Sequence, residues 1–217
     1  MTKVKAVLFD LDGVLVDTLH YHYLGWQKMF SDMGAKISEH TVLLHEGRNS
    51  REILPILMEE AHINIPSQEH DHFIEGKRSH YRKIVDVRFY DGAIDVVKSL
   101  KKRGLKMAIV TACSQKTMEK SLAIHYRTLF DLIQTGDDVS RAKPNPDPYD
   151  MAREKLGFAK EECVVVENAP LGIESAKAAG MTCIAVETTL GAEYLGEADY
   201  IVSDIREILL LPVMKVQ

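Results

Sequence analysis

Six short apolar runs decide most of what this chain can fold into. They are KAVLFD (5–10), KMAIVTA (106–112), DLIQTG (131–136), CVVVEN (163–168), TCIAVET (182–188) and YIVSD (200–204). An apolar run of this kind, bounded by turn residues, reads as a strand buried on both faces. Amphipathic stretches lie between the runs, such as AIDVVKSLKKRG (93–104) and DPYDMAREKLG (147–157). That alternation predicts an α/β fold, a parallel sheet with helices on both faces. Gly104, Gly157 and Gly180 each close a helical pattern, where a left-handed residue is wanted.

One segment breaks the rhythm. From about 18 to 88 no buried strand is evident, and helical patterns such as YLGWQKMFSDMG (23–34) and SREILPILMEEA (50–61) take over. Eight of the nine histidines fall there. The segment reads as a helical insertion (18–88) into a sheet-bearing core made of 1–17 and 89–217. A chain of 217 residues has room for one core and one smaller unit.

The remaining totals exclude more than they select. The formal charge is −5 without a block of five like charges, which argues against nucleic acid as a partner. No run approaches 18 apolar residues, and the apolar part of MTKVKAVLFD is short for a signal peptide, so no membrane partner is expected. Cys113, Cys163 and Cys183 are odd in number and lack metal-ligand spacing; they read as reduced thiols of a cytoplasmic protein. The pairs HYH and HDH suggest no tetrahedral zinc set. A monomer or weak homodimer is expected.

Chemistry gathers where the runs end. In open parallel sheets, ligands bind beyond the carboxyl ends of the strands. Those ends carry Asp10 and Asp12, Thr111, and Glu167 with Asn168, and the loop RAKPNPDP adds Lys143. Clustered carboxylates repel unless a cation joins them, and hard oxygen donors without Cys or His suit magnesium. Lys143 adds a positive charge that can face an anionic substrate. An ionised aspartate beside a magnesium-bound phosphoryl group can attack it and form an acyl phosphate. A second acid two residues on can protonate the leaving oxygen and then activate water. The expected partner is a small phosphorylated substrate.

At these residues the chain resembles the phosphotransferases of the haloacid dehalogenase superfamily that carry a helical cap after the first motif. DLDGVLVDT, Thr111 in IVTACS, Lys143 in KPNPDP and ENAPLGIESAKAAGM match the four motifs in order. The resemblance implies a Rossmann-like core with the insertion as cap. It implies Asp10 as nucleophile, Asp12 as acid/base, and Thr111 and Lys143 holding the phosphoryl group. For magnesium it implies Asp10, the carbonyl of Asp12, Glu167 and the side chain at 168. The family usually has Asp at 168; Asn168 removes one negative charge. Asp12 argues against a true dehalogenase, which needs no acid there.

The cap segment resembles the β-phosphoglucomutase subgroup. DTLHYHYLGW matches its pattern at Thr18, His22 and Trp26, GRNSRE places Arg51 as a binder of a non-transferring phosphate, and EGKRSHY places Lys77 beside it. Ala112 joins this substrate-binding set. The mutases carry a Ser-Lys-Asn run after the second motif, whereas this chain has Cys113, Ser114 and Gln115, with Lys116 one place late. In LHEGR (44–48), Glu46 stands where cap and core should hinge, and from there a carboxylate could restore the charge missing at Asn168. HEGR with VENAPLG also resembles bacterial superfamily members that hydrolyse inorganic pyrophosphate. The expectation is a magnesium-dependent phosphohydrolase acting through an aspartyl phosphate on a small phosphorylated metabolite or pyrophosphate. A sugar-phosphate mutase, or a non-catalytic binding protein on the same scaffold, are the alternatives. No GxGxxG follows the first run and no GxxxxGK[ST] occurs, which disfavours nicotinamide and P-loop enzymes.

Overall fold

The computed structural model describes residues 3–215. The six runs become β1 (Ala6–Phe9), β2 (Lys106–Val110), β3 (Leu132–Gln134), β4 (Cys163–Glu167), β5 (Thr182–Val186) and β6 (Tyr200–Val202). They form one sheet in the order β3-β2-β1-β4-β5-β6, with every neighbouring pair parallel. Each strand stops short of the apolar run that announced it. Asp10, Thr111 and Asn168 lie just past the last strand residue and are still buried. Apolar and small residues mark burial, whereas a strand ends where ladder pairing ends, and here tertiary contacts bury the residues beyond it.

The helices are α1 (Leu19–Ser31), α2 (Glu39–Leu44), α3 (Ser50–Glu60), α4 (His70–Ile84), α5 (Ala93–Lys102), α6 (Gln115–Ser121), α7 (Ile124–Arg127), α8 (Asp147–Leu156) and α9 (Pro170–Ala178). Alternate strand residues serve two apolar layers. Phe9, Met107, Ile109, Val166 and Ile184 pack with Val96, Val97 and Leu100 of α5. Ala6, Ala108, Cys163, Cys183 and Ala185 face Tyr149 and Ala152 of α8 and Ile173 and Ala176 of α9. Alanine and cysteine are frequent among the strand residues of this second face. Gly104, Gly157 and Gly180 take left-handed φ values of 82°, 80° and 71° behind α5, α8 and α9, as their positions predict.

Helices α1 to α4 pack around their own apolar cluster, which includes Trp26, Phe30, Leu54, Leu57, Phe73 and Ile74. Two segments running side by side connect them to the sheet: Asp17 N donates to the Arg88 carbonyl at 2.8 Å and Tyr90 N to that of Leu15 at 3.0 Å. Among the described residues, no helix is long and apolar enough to cross a membrane.

Candidate active site

β1 is flanked by β2 on one side and β4 on the other, so successive connections leave it in opposite directions. Loops diverge at such a switch point and open a crevice at the carboxyl ends of the strands. Asp10 follows β1 there, and Glu167 ends β4 beside it. Lys143, from the loop before α8, reaches between them. Its Nζ lies 2.6 Å from Asp10 Oδ1, 2.6 Å from Glu167 Oε1 and 3.2 Å from the Val110 carbonyl. It also sits 4.9 Å from the centre of the Tyr149 ring. Burial alone would strip the lysine of its proton; the two carboxylates outweigh burial and hold its pKa above the ordinary value. Burial pushes the Asp10 carboxyl well up, and Lys143 works against that.

Glu167 serves the protein with both oxygens. Oε1 accepts from Lys143 and, at 2.6 Å, from the Tyr149 hydroxyl; Oε2 accepts from Asn168 N at 2.9 Å and Ala169 N at 3.4 Å. This departs from the expectation of Glu167 as a magnesium ligand: the structure makes it the counter-ion of Lys143 and an anchor for the start of α9. Gly172 allows the approach, because a Cβ there would collide with the Glu167 carboxylate. Sequence reasoning missed Tyr149, which carried only the signal of a helix face.

Asp12 has a separate set of partners. Thr18 Oγ1 donates to its Oδ1, Thr111 Oγ1 approaches its Oδ2 at 3.5 Å, and His22 Nε2 lies 3.4 Å from Oδ1. Burial raises the pKa of this carboxyl, but His22 and Thr18 together outweigh it and hold the group below its ordinary value. Lys77 Nζ stands 2.8 Å from His22 Nδ1. A lysine ammonium only donates, so it leaves the imidazole proton on Nε2, facing Asp12. The His22 ring stacks on Tyr81 at 4.1 Å between centroids. Burial lowers the pKa of Lys77 to about 8, against the pull of Glu46, and burial together with Lys77 lowers that of His22.

Asn168 is fully buried. Its Nδ2 donates to Thr189 Oγ1 at 3.0 Å, and Gly13, at φ 89°, makes room for the amide. Asp10 Oδ2 and Asn168 Oδ1 are both buried acceptors without a protein donor. Acceptors of that kind suit a cation or its water shell. Among the described residues no three His, Cys, Asp or Glu side chains converge as a metal cage. The side-chain oxygens available are therefore one carboxylate oxygen and one amide oxygen. These are hard oxygens, few in number, as suits a cation that keeps several waters.

A cleft with about 530 Å³ of empty space, part of it open to solvent, lies between this cluster and α1 to α4. Asp12, His22, Lys77 and Ala112 line it, as does Glu46, and so do Arg48, Arg78 and Cys113. Burial, and next the charge of Asp12, raise the Glu46 pKa to about 7. Arg51 does not line the cleft; its side chain is 71% exposed and its guanidinium pairs with Asp71 at 2.6 Å. The expectation had Arg51 at a non-transferring phosphate; here it lies outside the cleft. The residue begins α3 and turns outward, while Arg48, still in the loop, points in. Lys116 is exposed on α6 and also stays outside. The structure thus brings together Asp10, Asp12, Thr18, His22, Glu46, Lys77, Thr111, Ala112, Lys143 and Asn168.

A family model described as "Haloacid dehalogenase-like hydrolase" matches residues 7–186. Validoxylamine A 7'-phosphate phosphatase of Streptomyces hygroscopicus subsp. limoneus is 30% identical over 94% of this chain and 95% of its own. The pyrophosphatase PpaX of Oceanobacillus iheyensis is 28% identical over 96% and 97%. A solved structure from Bacteroides vulgatus, named there as a candidate β-phosphoglucomutase, is 32% identical with a TM-score of 0.83, over 95% of this chain and 86% of that one.

Proposed function

The chain belongs to the haloacid dehalogenase-like hydrolases, and within that family we propose a magnesium-dependent phosphatase that works through an aspartyl phosphate on Asp10. The observation that carries this is the split of the Asp10 carboxylate: Oδ1 is held by Lys143 while Oδ2 is buried without a donor. The oxygen that Lys143 holds is oriented to attack phosphorus in line, and the other is left to a cation. Asp10 Oδ2, Asn168 Oδ1 and the Asp12 carbonyl would hold magnesium, whose charge screens the phosphoryl oxygens from the attacking carboxylate.

Attack by Oδ1 forms an O–P bond to Asp10 and breaks the bond to the leaving oxygen, which takes a proton from Asp12; that carboxyl is ionised in the free protein and gains the proton as the anionic substrate binds beside it. The Asp12 carboxylate then removes a proton from water, and the hydroxide attacks the acyl phosphate and returns Asp10 free. Thr18, Thr111 and His22 orient Asp12 for both halves, and Lys77 keeps the His22 proton on the nitrogen that faces it. Lys143 orients Asp10 and adds positive charge beside the transferred group.

The substrate is a small phosphorylated metabolite. Arg48, Lys77 and Arg78 in the cleft favour a second anionic or hydroxyl-rich part. Pyrophosphate is the second reading, favoured by Glu46 lining the same cleft as Asp12 while Asn168 is neutral. A mutase reading gains nothing from Lys116, which stays outside. The test is magnesium-dependent turnover of an aryl phosphate, sugar phosphates and pyrophosphate by wild type and Asp10→Asn. An amide cannot form the acyl phosphate, so the variant should fold and lose about 10⁴-fold or more in kcat. Substantial activity in Asp10→Asn would sink the mechanism.

A further inference from the structure

Proton transfer to a leaving oxygen needs an acid within hydrogen-bond reach and turned the right way. Asp12 is turned by the two groups at its Oδ1, the Thr18 hydroxyl and His22 Nε2. Those two groups need support of their own if the carboxyl is to keep its direction. We propose that Tyr81 on α4 supplies it and is a positioning residue for Asp12, an inference that rests on the acid/base reading of Asp12 above.

Tyr81 is buried and touches both groups at once. Its ring stacks on the His22 imidazole, 4.1 Å between centroids and 27° between planes. Its hydroxyl hydrogen-bonds the Thr18 side chain and lies 2.7 Å from Ser121 Oγ. Ser121 is buried on α6, in the sheet-bearing part of the molecule. One stiff side chain thus ties both neighbours of Asp12 Oδ1 to a fixed point on α6. The hydroxyl anchors the far end of the ring, so the ring cannot slide along the imidazole. Burial pushes the Tyr81 pKa up, and the neutral hydroxyl keeps its proton for these bonds. Asp12 Oδ2, approached by Thr111 at 3.5 Å, is left as the oxygen that exchanges the proton. Without the Tyr81 hydroxyl, the ring, the imidazole and the carboxyl can turn together, and the acid misses the leaving oxygen. The nucleophile is not disturbed: among the described residues, no hydrogen bond or ring contact joins Tyr81 to Asp10, Lys143 or Asn168.

The leaving group separates the aiming of an acid from a structural role. Phenolate is basic and leaves with a proton, whereas dinitrophenolate leaves without one. The full chain is assayed with magnesium on phenyl phosphate and dinitrophenyl phosphate, and kcat/KM is compared, which covers the steps up to loss of the leaving group. Tyr81→Phe keeps the stack and loses the hydroxyl. It should lower kcat/KM about 10-fold or more on phenyl phosphate and less than about twofold on dinitrophenyl phosphate. Ser121→Ala removes only the anchor and should give the same pattern, and the double variant should be no worse than Tyr81→Phe alone. Unfolding temperatures check that each variant is folded; should Tyr81→Phe not fold, Ser121→Ala carries the same test. Equal losses on the two substrates, or no loss on phenyl phosphate, overturn the inference. Asp12→Asn tests the reading beneath it and should also lose far more on phenyl phosphate. If Asp12→Asn separates the substrates and Tyr81→Phe does not, the inference alone falls; if Asp12→Asn loses equally on both, the acid reading falls and takes the inference with it.

Discussion

Asp10, Asp12 and Glu167 lie within one crevice, yet Asp12 answers to different neighbours from the other two. Lys143 is shared by Asp10 and Glu167, while Asp12 is served by Thr18, Thr111 and His22. The division fits the roles proposed above: a carboxylate pinned at one oxygen as nucleophile, and one set in a hydroxyl and imidazole network as the group that exchanges protons. The cleft arginines separate in the same way. Arg48 lines the cleft with a buried Nε that has no protein partner, whereas Arg51 pairs with Asp71 in solvent. Arg48→Ala should cost about 1.5–3 kcal/mol in kcat/KM for a substrate with a second anionic group and little for an aryl phosphate. Arg51→Ala, which removes only an exposed ion pair, should leave both nearly unchanged. Losses on Arg51→Ala that match those on Arg48→Ala would return the distal site to Arg51. Glu46 is the third case. If its carboxylate supplies the charge absent at Asn168, Glu46→Gln should raise the magnesium requirement, and Asn168→Asp should partly restore it. Magnesium titrations of both single variants and the double variant check this; additive effects would leave Glu46 as a hinge residue.

At the scale of elements, the pairing of α1 with α4 sets where Lys77 and His22 meet. Gly25 on α1 faces the Lys77 backbone, where an added Cβ would lie 3.1 Å from its carbonyl oxygen. Gly76 on α4 faces the flexible end of Met29, 2.6 Å from the same construction. Alanine favours a helix over glycine by about 1 kcal/mol at either place. At Gly76 the methionine can swing aside and much of that gain should appear as stability. At Gly25 the rigid carbonyl has to give way, which pushes α4 and Lys77 from His22. Gly25→Ala should lower kcat with a net loss of about 1–3 kcal/mol of stability, and Gly76→Ala should leave kcat intact. Denaturant melts and turnover on one substrate distinguish the two; equal behaviour would mean that the helix crossing does not set the Lys77–His22 contact. Tyr81 links the same α4 to the sheet-bearing part through Ser121 on α6, at 2.7 Å.

For the molecule as a whole, the buried cluster makes stability depend on pH. Lys77 is 5% exposed and its pKa falls from 10.5 to about 8 on folding. Below pH 8 both states carry the proton and the folded state bears the full cost of the buried charge. Between about 8 and 10.5 the unfolded chain binds more protons, so stability rises with pH across that window and the cost is gone above it. The interval corresponds to roughly 3 kcal/mol at about 1.4 kcal/mol per pH unit. Lys77→Met should therefore stabilise the metal-free protein near pH 7, with an advantage over wild type that shrinks between pH 8 and 10.5; an advantage that does not change with pH would assign the gain to packing instead. The α/β class, the six parallel strands and the cluster at their carboxyl ends were legible in the chain because they depend on local patterns: apolar runs, helical periods, closing glycines and motif spacing. Asp10, Asp12, Thr111, Lys143 and Asn168 were found that way. Orientation was not legible. Glu167 faces Lys143 rather than the open side of the crevice, Arg48 rather than Arg51 enters the cleft, and Tyr149 and Thr189 carry no motif at all. Which way a side chain points is fixed by neighbours distant in sequence, as when Thr189 meets Asn168 and Lys143 meets Asp10, and those encounters exist only once the sheet has brought its strand ends together.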